Sequence, residues 1–321
     1  MQYRVLGFSG LRVSAIGFGA WGIGGATAGA TSYGPTDDRR SLAALAAALD
    51  HGITFFDTAP AYGDGHSEAL LGQALKGRRD QVVIASKLGQ PRFDAPADLS
   101  AAGMRAQIEG SLRRLATDHL DLVQLHSPDP AALLADPGIV ETVAGFVRQG
   151  LARSWGISAK APADALVAIE RFQAPVVQVN LNLMDQRALE SGLLDRCAAA
   201  GVGVIARTPL SFGFLAGRLD ADAVFPPQDH RSRWSRAQIA RWVEGCRLFV
   251  AGLADREGQS AAQIALRFCL SHPAVATTIP GMMAPAEVVE NAAAGVRGPL
   301  PPEDLQAIAR LAEGQDFFVR G

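Results

Sequence analysis

The chain has 321 residues, 48% hydrophobic and 19% charged, the make-up of a compact protein with a large core. Its formal net charge is -2 and Lys and Arg cluster nowhere, which excludes nucleic acid and anionic membrane as expected partners. The start, MQYRVLGFSG, lacks the apolar core of a signal sequence and no apolar run approaches the ~18 residues of a membrane span, so an unanchored cytoplasmic chain is expected.

In chain order, QYRVLG and LRVS flank the turn residues Ser9-Gly10 and predict a β-hairpin. Eight short strands follow: SAIGFG (14–19), TFFD (54–57), QVVIASK (81–87), DLVQLH (121–126), ARSWGIS (152–158), VVQVN (176–180), GVIA (203–206) and ATTIP (276–280). Between and after them helices are expected over 36–50, 66–76, 101–117, 131–149, 162–171, 187–200, 235–257, 285–294 and 302–313. Thr36 is the cap candidate of the first, which carries acids in its first turn and Gly52 beyond its end. This unbroken rhythm predicts an α/β fold, a (β/α)8 TIM barrel with an N-terminal β-hairpin and an extra C-terminal helix, in a single domain over residues 1–321. An open sheet of two halves is the alternative, because periodicity does not report closure. Residues 207–234 form the longest irregular stretch and read as a functional loop. Cys197, Cys246 and Cys269 form no CxxC pair and have no His at metal-ligand offsets, so reduced core thiols and no metal are expected.

GFGAWG (17–22) has the GxGxxG form of a dinucleotide fingerprint. That motif requires its third glycine to open a helix, whose terminal N–H groups hold the phosphates. Here the glycine-rich segment IGGATAGATSYGP follows, with no helical period, which argues against a Rossmann site. These glycines instead read as a loop passing close to a flat ligand.

Barrel enzymes carry their chemistry at the carboxyl ends of the strands. Asp57 closes TFFD, Lys87 closes VVIASK, His126 closes LVQLH, and Tyr62 follows Asp57 in the loop DTAPAYG. Each has an ordinary structural use: a turn or cap for Asp57, a solvent-reaching Lys87, a satisfied core His126. Together at successive strand ends they suit proton transfer. A free phenol titrates near ~10, and a neighbouring cation stabilises its phenolate. Lys87 supplies that charge, Asp57 keeps it ionised, His126 orients a substrate oxygen and Tyr62 donates the proton.

DTAPAYG with HSEALLGQAL behind it, ASK, DLVQLHSPDP, WGIS and VVQVNLNLMD together resemble the aldo-keto reductase superfamily over nearly the whole chain. The resemblance implies an eight-stranded barrel and an extended nicotinamide cofactor, NAD(H) or NADP(H), held without a Rossmann motif. It also implies reversible reduction of a small-molecule carbonyl to its alcohol. Tyr62 is then the general acid/base, Asp57 and Lys87 tune it, and His126 orients the carbonyl. Gly19 borders the cofactor, and Trp21 and Tyr33 shape the substrate pocket with the loop after Lys87 and the 212–234 loop. Ser158 and Gln178 match positions that bond the nicotinamide carboxamide, although the amide that usually follows the serine is replaced by Ala159. A plainer use of Ser158 is to cap the helix at Pro162. Arg207 stands where many relatives stack an aromatic ring on the nicotinamide. Ser211, Gly213 and Gly217 resemble the loop that covers the pyrophosphate, with Arg218 as a charge partner, and Glu290 and Asn291 match adenine-holding positions. The superfamily default is NADP(H). Gly281, Met282, Met283 and Glu287 offer a 2′-phosphate no cation and one carboxylate, which leans toward NAD(H).

Two other functions compete with a reductase. A redox-sensing regulatory subunit would use the same barrel. A lyase or aldolase would make Lys87 a Schiff-base nucleophile, but Asp57 keeps that amine protonated and weakly nucleophilic. The resemblance implies no oligomeric state.

Overall fold

The computed structural model describes residues 1–251, 253 and 258–319. A hairpin of β1 (Tyr3–Val5) and β2 (Arg12–Ser14) precedes β3 (Phe18–Gly19), α1 (Asp38–Asp50), β4 (Phe55–Asp57), α2 (His66–Ala74), β5 (Val83–Leu88) and α3 (Ala101–Leu115). Next come β6 (Leu120–His126), α4 (Pro130–Ala135), α5 (Gly138–Arg148), β7 (Ala152–Ser158), α6 (Pro162–Phe172), β8 (Val176–Asn180), α7 (Arg187–Glu190), α8 (Leu193–Ala200) and β9 (Gly203–Arg207). The chain ends with α9 (Arg236–Val250), α10 (Ala261–Leu270), β10 (Val275–Ile279), α11 (Pro285–Arg297) and α12 (Pro302–Ala312).

Strands β3 to β10 lie side by side in chain order, each parallel to the next. The edges meet through parallel bridges Ile16–Thr278 and Gly19–Gly281, with Gly17 N donating to Thr278 O at 2.8 Å and Gly19 N to Pro280 O at 3.0 Å. The sheet is therefore a closed barrel rather than two open halves. A Cβ on Gly19 would lie 2.7 Å from Ile279 O, so the glycine of the opening motif also permits this seam. The hairpin plugs the amino end: Leu6, Leu11 and Val13 pack with Phe55, Leu122, Val176 and Ile205 inside the barrel.

Several expected elements are corrected. Asp37, not Thr36, caps α1, accepting from Arg40 N at 3.1 Å. The span 131–149 divides into α4 and α5 at Asp136-Pro137, because the residue before a proline is forced out of the helical region. The span 187–200 divides at Ser191-Gly192, where Gly192 takes φ 69°. Of the span 235–257, the described helix ends at Val250, and residues 252 and 254–257 lie outside the described residues. Helix α10 was not anticipated, although Ser260 and Gln263 form a reciprocal capping box at its start.

Candidate active site

The carboxyl ends of the strands open into a cavity of about 670 Å³. Strand β4 brings Asp57 to its floor and β5 brings Lys87 behind it, both almost fully buried. The ammonium of Lys87 pairs with Asp57 Oδ1 and donates to Thr58 O at 2.9 Å and to the Tyr62 hydroxyl at 3.1 Å. All three donors of the ammonium are thereby fixed. The second carboxylate oxygen of Asp57 accepts from Gln178 Nε2 at 2.8 Å and from Gln124 Nε2 at 3.1 Å. Burial alone would lower the Lys87 ammonium, but the charges and hydrogen bonds of Asp57 and Tyr62 outweigh it and hold the group above its ordinary value. Lys87 is therefore a cation at neutral pH.

Tyr62 reaches this cation from the β4–α2 loop. Gly24 packs against its backbone so tightly that a Cβ there would meet the Tyr62 carbonyl carbon at 2.8 Å, which fixes the loop carrying the phenol. His126, at the end of β6, stands edge-on to Tyr62 with ring centroids 5.9 Å apart. Burial, then the positive charges of Lys87 and Arg207, push its imidazole well below the ordinary range. His126 is neutral, and its buried Nδ1 has no hydrogen-bond partner. The three residues predicted at strand ends and Tyr62 of the following loop thus converge on one mouth, with the phenol and imidazole lining the cavity and Lys87 behind them.

The other predicted residues divide between the cavity and its support. Gly19, Trp21, Tyr33, Gln178, Arg207, Gly213, Arg218, Glu287, Glu290 and Asn291 line it; Ser158, Ser211 and Gly217 do not. Ser158 is buried and donates to Gln178 Oε1 at 3.2 Å. It does not cap α6, where Ala161 N donates instead to Asp164 at 3.1 Å. Arg207 donates Nη2 to Ala159 O at 2.9 Å. Arg218 and Glu290 form an ion pair at 2.5 Å, joining the 207–234 loop to α11 at the rim. Glu287 accepts from Met283 N at 2.6 Å and closes the turn at the start of α11.

Some site residues had not been singled out. Gln124 is two positions before His126 on β6 and so shares its face; that spacing was the available signal. Phe93 stacks on Tyr62 at 6.1 Å, in the loop after Lys87. His230 and Arg231 complete the wall around Trp21 and Tyr33: His230 lies 4.8 Å from the Trp21 ring, and Arg231, bound to Asp229, sits 4.9 Å over Tyr33. Bridges from Ser32 and Tyr33 to Asp229 stitch the first loop to the 207–234 loop.

A closed (β/α)8 barrel with a carboxylate, ammonium, phenol and imidazole at its carboxyl mouth defines a class of barrel oxidoreductases. The sequence profile of the Aldo/keto reductase family matches residues 15–313, and the chain belongs to that family. A probable voltage-gated potassium channel subunit beta from Oryza sativa subsp. japonica is 32% identical over 314 residues, covering 91% of this chain and 90% of the relative. Among solved structures, the holo form of aldo-keto reductase AKR11C1 from Bacillus halodurans superposes with a TM-score of 0.80 at 28% identity, covering 98% of this chain and 97% of that one. An aldo/keto reductase from Klebsiella pneumoniae in complex with NADP and acetate gives a TM-score of 0.73 at 30% identity, covering 97% and 96%. Among the described residues no helix is long and apolar enough to cross a membrane.

Proposed function

We propose that this oxidoreductase interconverts an aldehyde, ketone or sugar carbonyl and its alcohol with a nicotinamide dinucleotide, using Tyr62 as general acid/base. The observation that carries the proposal is the simultaneous contact of Lys87 Nζ with Asp57 and the Tyr62 hydroxyl. In the reducing direction Tyr62 gives its proton to the substrate oxygen, and the ammonium beside it stabilises the phenolate left behind. Asp57, held by Gln124 and Gln178, keeps that ammonium charged and aimed. Neutral His126 offers one N–H to the carbonyl oxygen and bends its approach. Phe93 and Trp21 exclude water from the reacting end.

The cavity suits an extended dinucleotide. It has the size of a cofactor site and runs from Tyr62 and His126 to Glu290 and Asn291 at the rim. Gln178, Arg207 and Thr208 line the inner end; the buried Nε of Arg207 has no partner of its own. When bound, the nicotinamide supplies or accepts the hydride. The turn at Gly281, Met283 and Glu287 supports a preference for NAD(H), because it offers a carboxylate to a ribose hydroxyl and no cation to a 2′-phosphate.

The likeness to a channel subunit supports a second reading, a redox-sensing regulatory subunit on the same barrel. A panel of aldehydes, ketones and sugars, assayed with NADH and NADPH by nicotinamide absorbance, separates the two. Turnover of any member carries the reductase reading. Nucleotide binding without turnover across the panel replaces it with the regulatory one.

A further inference from the structure

Every cation lining the cavity except one has a carboxylate partner. Arg218 pairs with Glu290 and Arg231 with Asp229, and Lys87 behind the wall pairs with Asp57. Among the described residues Arg207, at the carboxyl end of β9, has no carboxylate within ion-pair distance; Asp57 and Asp185, whose charges reach it, are paired with Lys87 and Arg187. Its Nη2 binds the Ala159 carbonyl, and its Nε is buried without a partner. Ala159 is itself buried, and Arg207 lines the cavity beside Gln178 and Thr208. The guanidinium also contributes to keeping His126 neutral, so its field reaches the catalytic end.

A buried guanidinium without an ion-pair partner is expensive to keep: burial pulls Arg207 below its ordinary value, and the more distant charges of Tyr62, Asp57 and Asp185 offset that only in part. At the inner end of a nicotinamide site it has a specific consequence. The oxidised ring carries a positive charge and the reduced ring does not, so a fixed cation nearby repels one redox state and not the other. We infer that Arg207 is a redox-biasing residue, which makes the site hold the reduced nucleotide more tightly than the oxidised one. This rests on the dinucleotide reading above and adds a direction to it. The internal equilibrium would shift toward oxidation of an alcohol: the alcohol hydroxyl proton would pass to a Tyr62 phenolate held by Lys87, which then returns it to water, while the bound nicotinamide would take the hydride, one proton with two electrons, from the alcohol carbon. The alcohol is oxidised, the nucleotide is reduced, and charge balances with one proton released.

Equilibrium binding of NADH and NAD+ to wild type, Arg207→Met and Arg207→Lys tests this, read by quenching of protein fluorescence. The wild-type ratio of dissociation constants, NAD+ over NADH, exceeds that of Arg207→Met by about ten-fold, and Arg207→Lys keeps most of the bias because it keeps the charge. The ligand-free Arg207→Met protein melts no lower than wild type, since a desolvated charge has been removed; a merely structural strap to Ala159 predicts a lower melting temperature. Ratios within about two-fold of each other in wild type and Arg207→Met, with both nucleotides bound, overturn the inference. So does Arg207→Lys behaving like Arg207→Met. If the wild type binds neither NADH nor NADPH, the dinucleotide reading itself fails, which is a different result.

Discussion

The Lys87 ammonium donates to the Tyr62 hydroxyl at 3.1 Å while Asp57 and the Thr58 carbonyl hold its other two donors. The phenol is therefore bound to a cation that has nowhere else to turn. Tyr62→Phe deletes only the hydroxyl and leaves the ring on Phe93. The expected outcome is a fall in kcat of at least about 100-fold with nucleotide affinity unchanged, measured by steady-state kinetics and fluorescence titration. Retention of more than about a tenth of kcat would show that another group is the acid.

Lys87→Met leaves the Asp57 carboxylate in the barrel with only the Gln124 and Gln178 amides. An uncompensated charge at so buried a site costs about 3–5 kcal/mol, so the urea midpoint should drop together with turnover. Adding Asp57→Asn removes the stranded charge. The double variant should recover most of the midpoint but none of the kcat. Full stability of the single variant would mean that the pair is not the coupled element described here.

Asp57, Lys87 and His126 were legible because each is a polar residue ending an apolar strand run, and a barrel gathers strand ends at one mouth. Gln178 was legible from the resemblance, but its engagement with Asp57 was not, since that bond joins residues on strands β4 and β8 across the barrel interior. The same holds for the pocket wall. Tyr33 and Asp229 meet only because two long irregular loops fold over the barrel, and neither loop has a period to read. Helix α10 was obscured differently: it has ten residues, of which Gln263 and Arg267 are the polar ones, and only Ala261 and Gln263 are less than fully buried, so the stretch presents little of a polar face. Closure of the sheet rests on backbone bonds at Gly17 and Gly19, which side-chain patterns do not encode.

Glu287 anchors the turn where an adenosine ribose would lie, through its bond from Met283 N. The expected result is a higher kcat/KM with NADH than with NADPH. Glu287→Lys replaces the repelling carboxylate with a cation and should move the ratio toward NADPH by about ten-fold or more. A wild-type preference of about ten-fold for NADPH, or no change in Glu287→Lys, removes this residue as the discriminator.

Three buried histidines give stability a pH dependence in the same direction: His126 at the mouth, already described, and His230 and His272. Burial pushes His230 and His272 down to about 4. His230 is packed in the pocket wall 4.8 Å from Trp21 and 5.1 Å from Trp234, and His272 lies against Phe268 at 5.2 Å with Nε2 buried and unpartnered. An unfolded histidine titrates near ~6.5, so on acidification the unfolded chain takes up these protons first. Stability is then fully present above about pH 6.5 and is lost as the pH falls toward about 4. Urea midpoints at about pH 7.5 and about pH 5 should differ accordingly, with the lower value in acid. His272→Phe keeps the aromatic packing and removes the titration, so it should flatten the slope without touching the active site; His230→Phe should flatten it further. A midpoint that stays level between those pH values, or a slope unchanged in both variants, would place the acid sensitivity elsewhere in the chain.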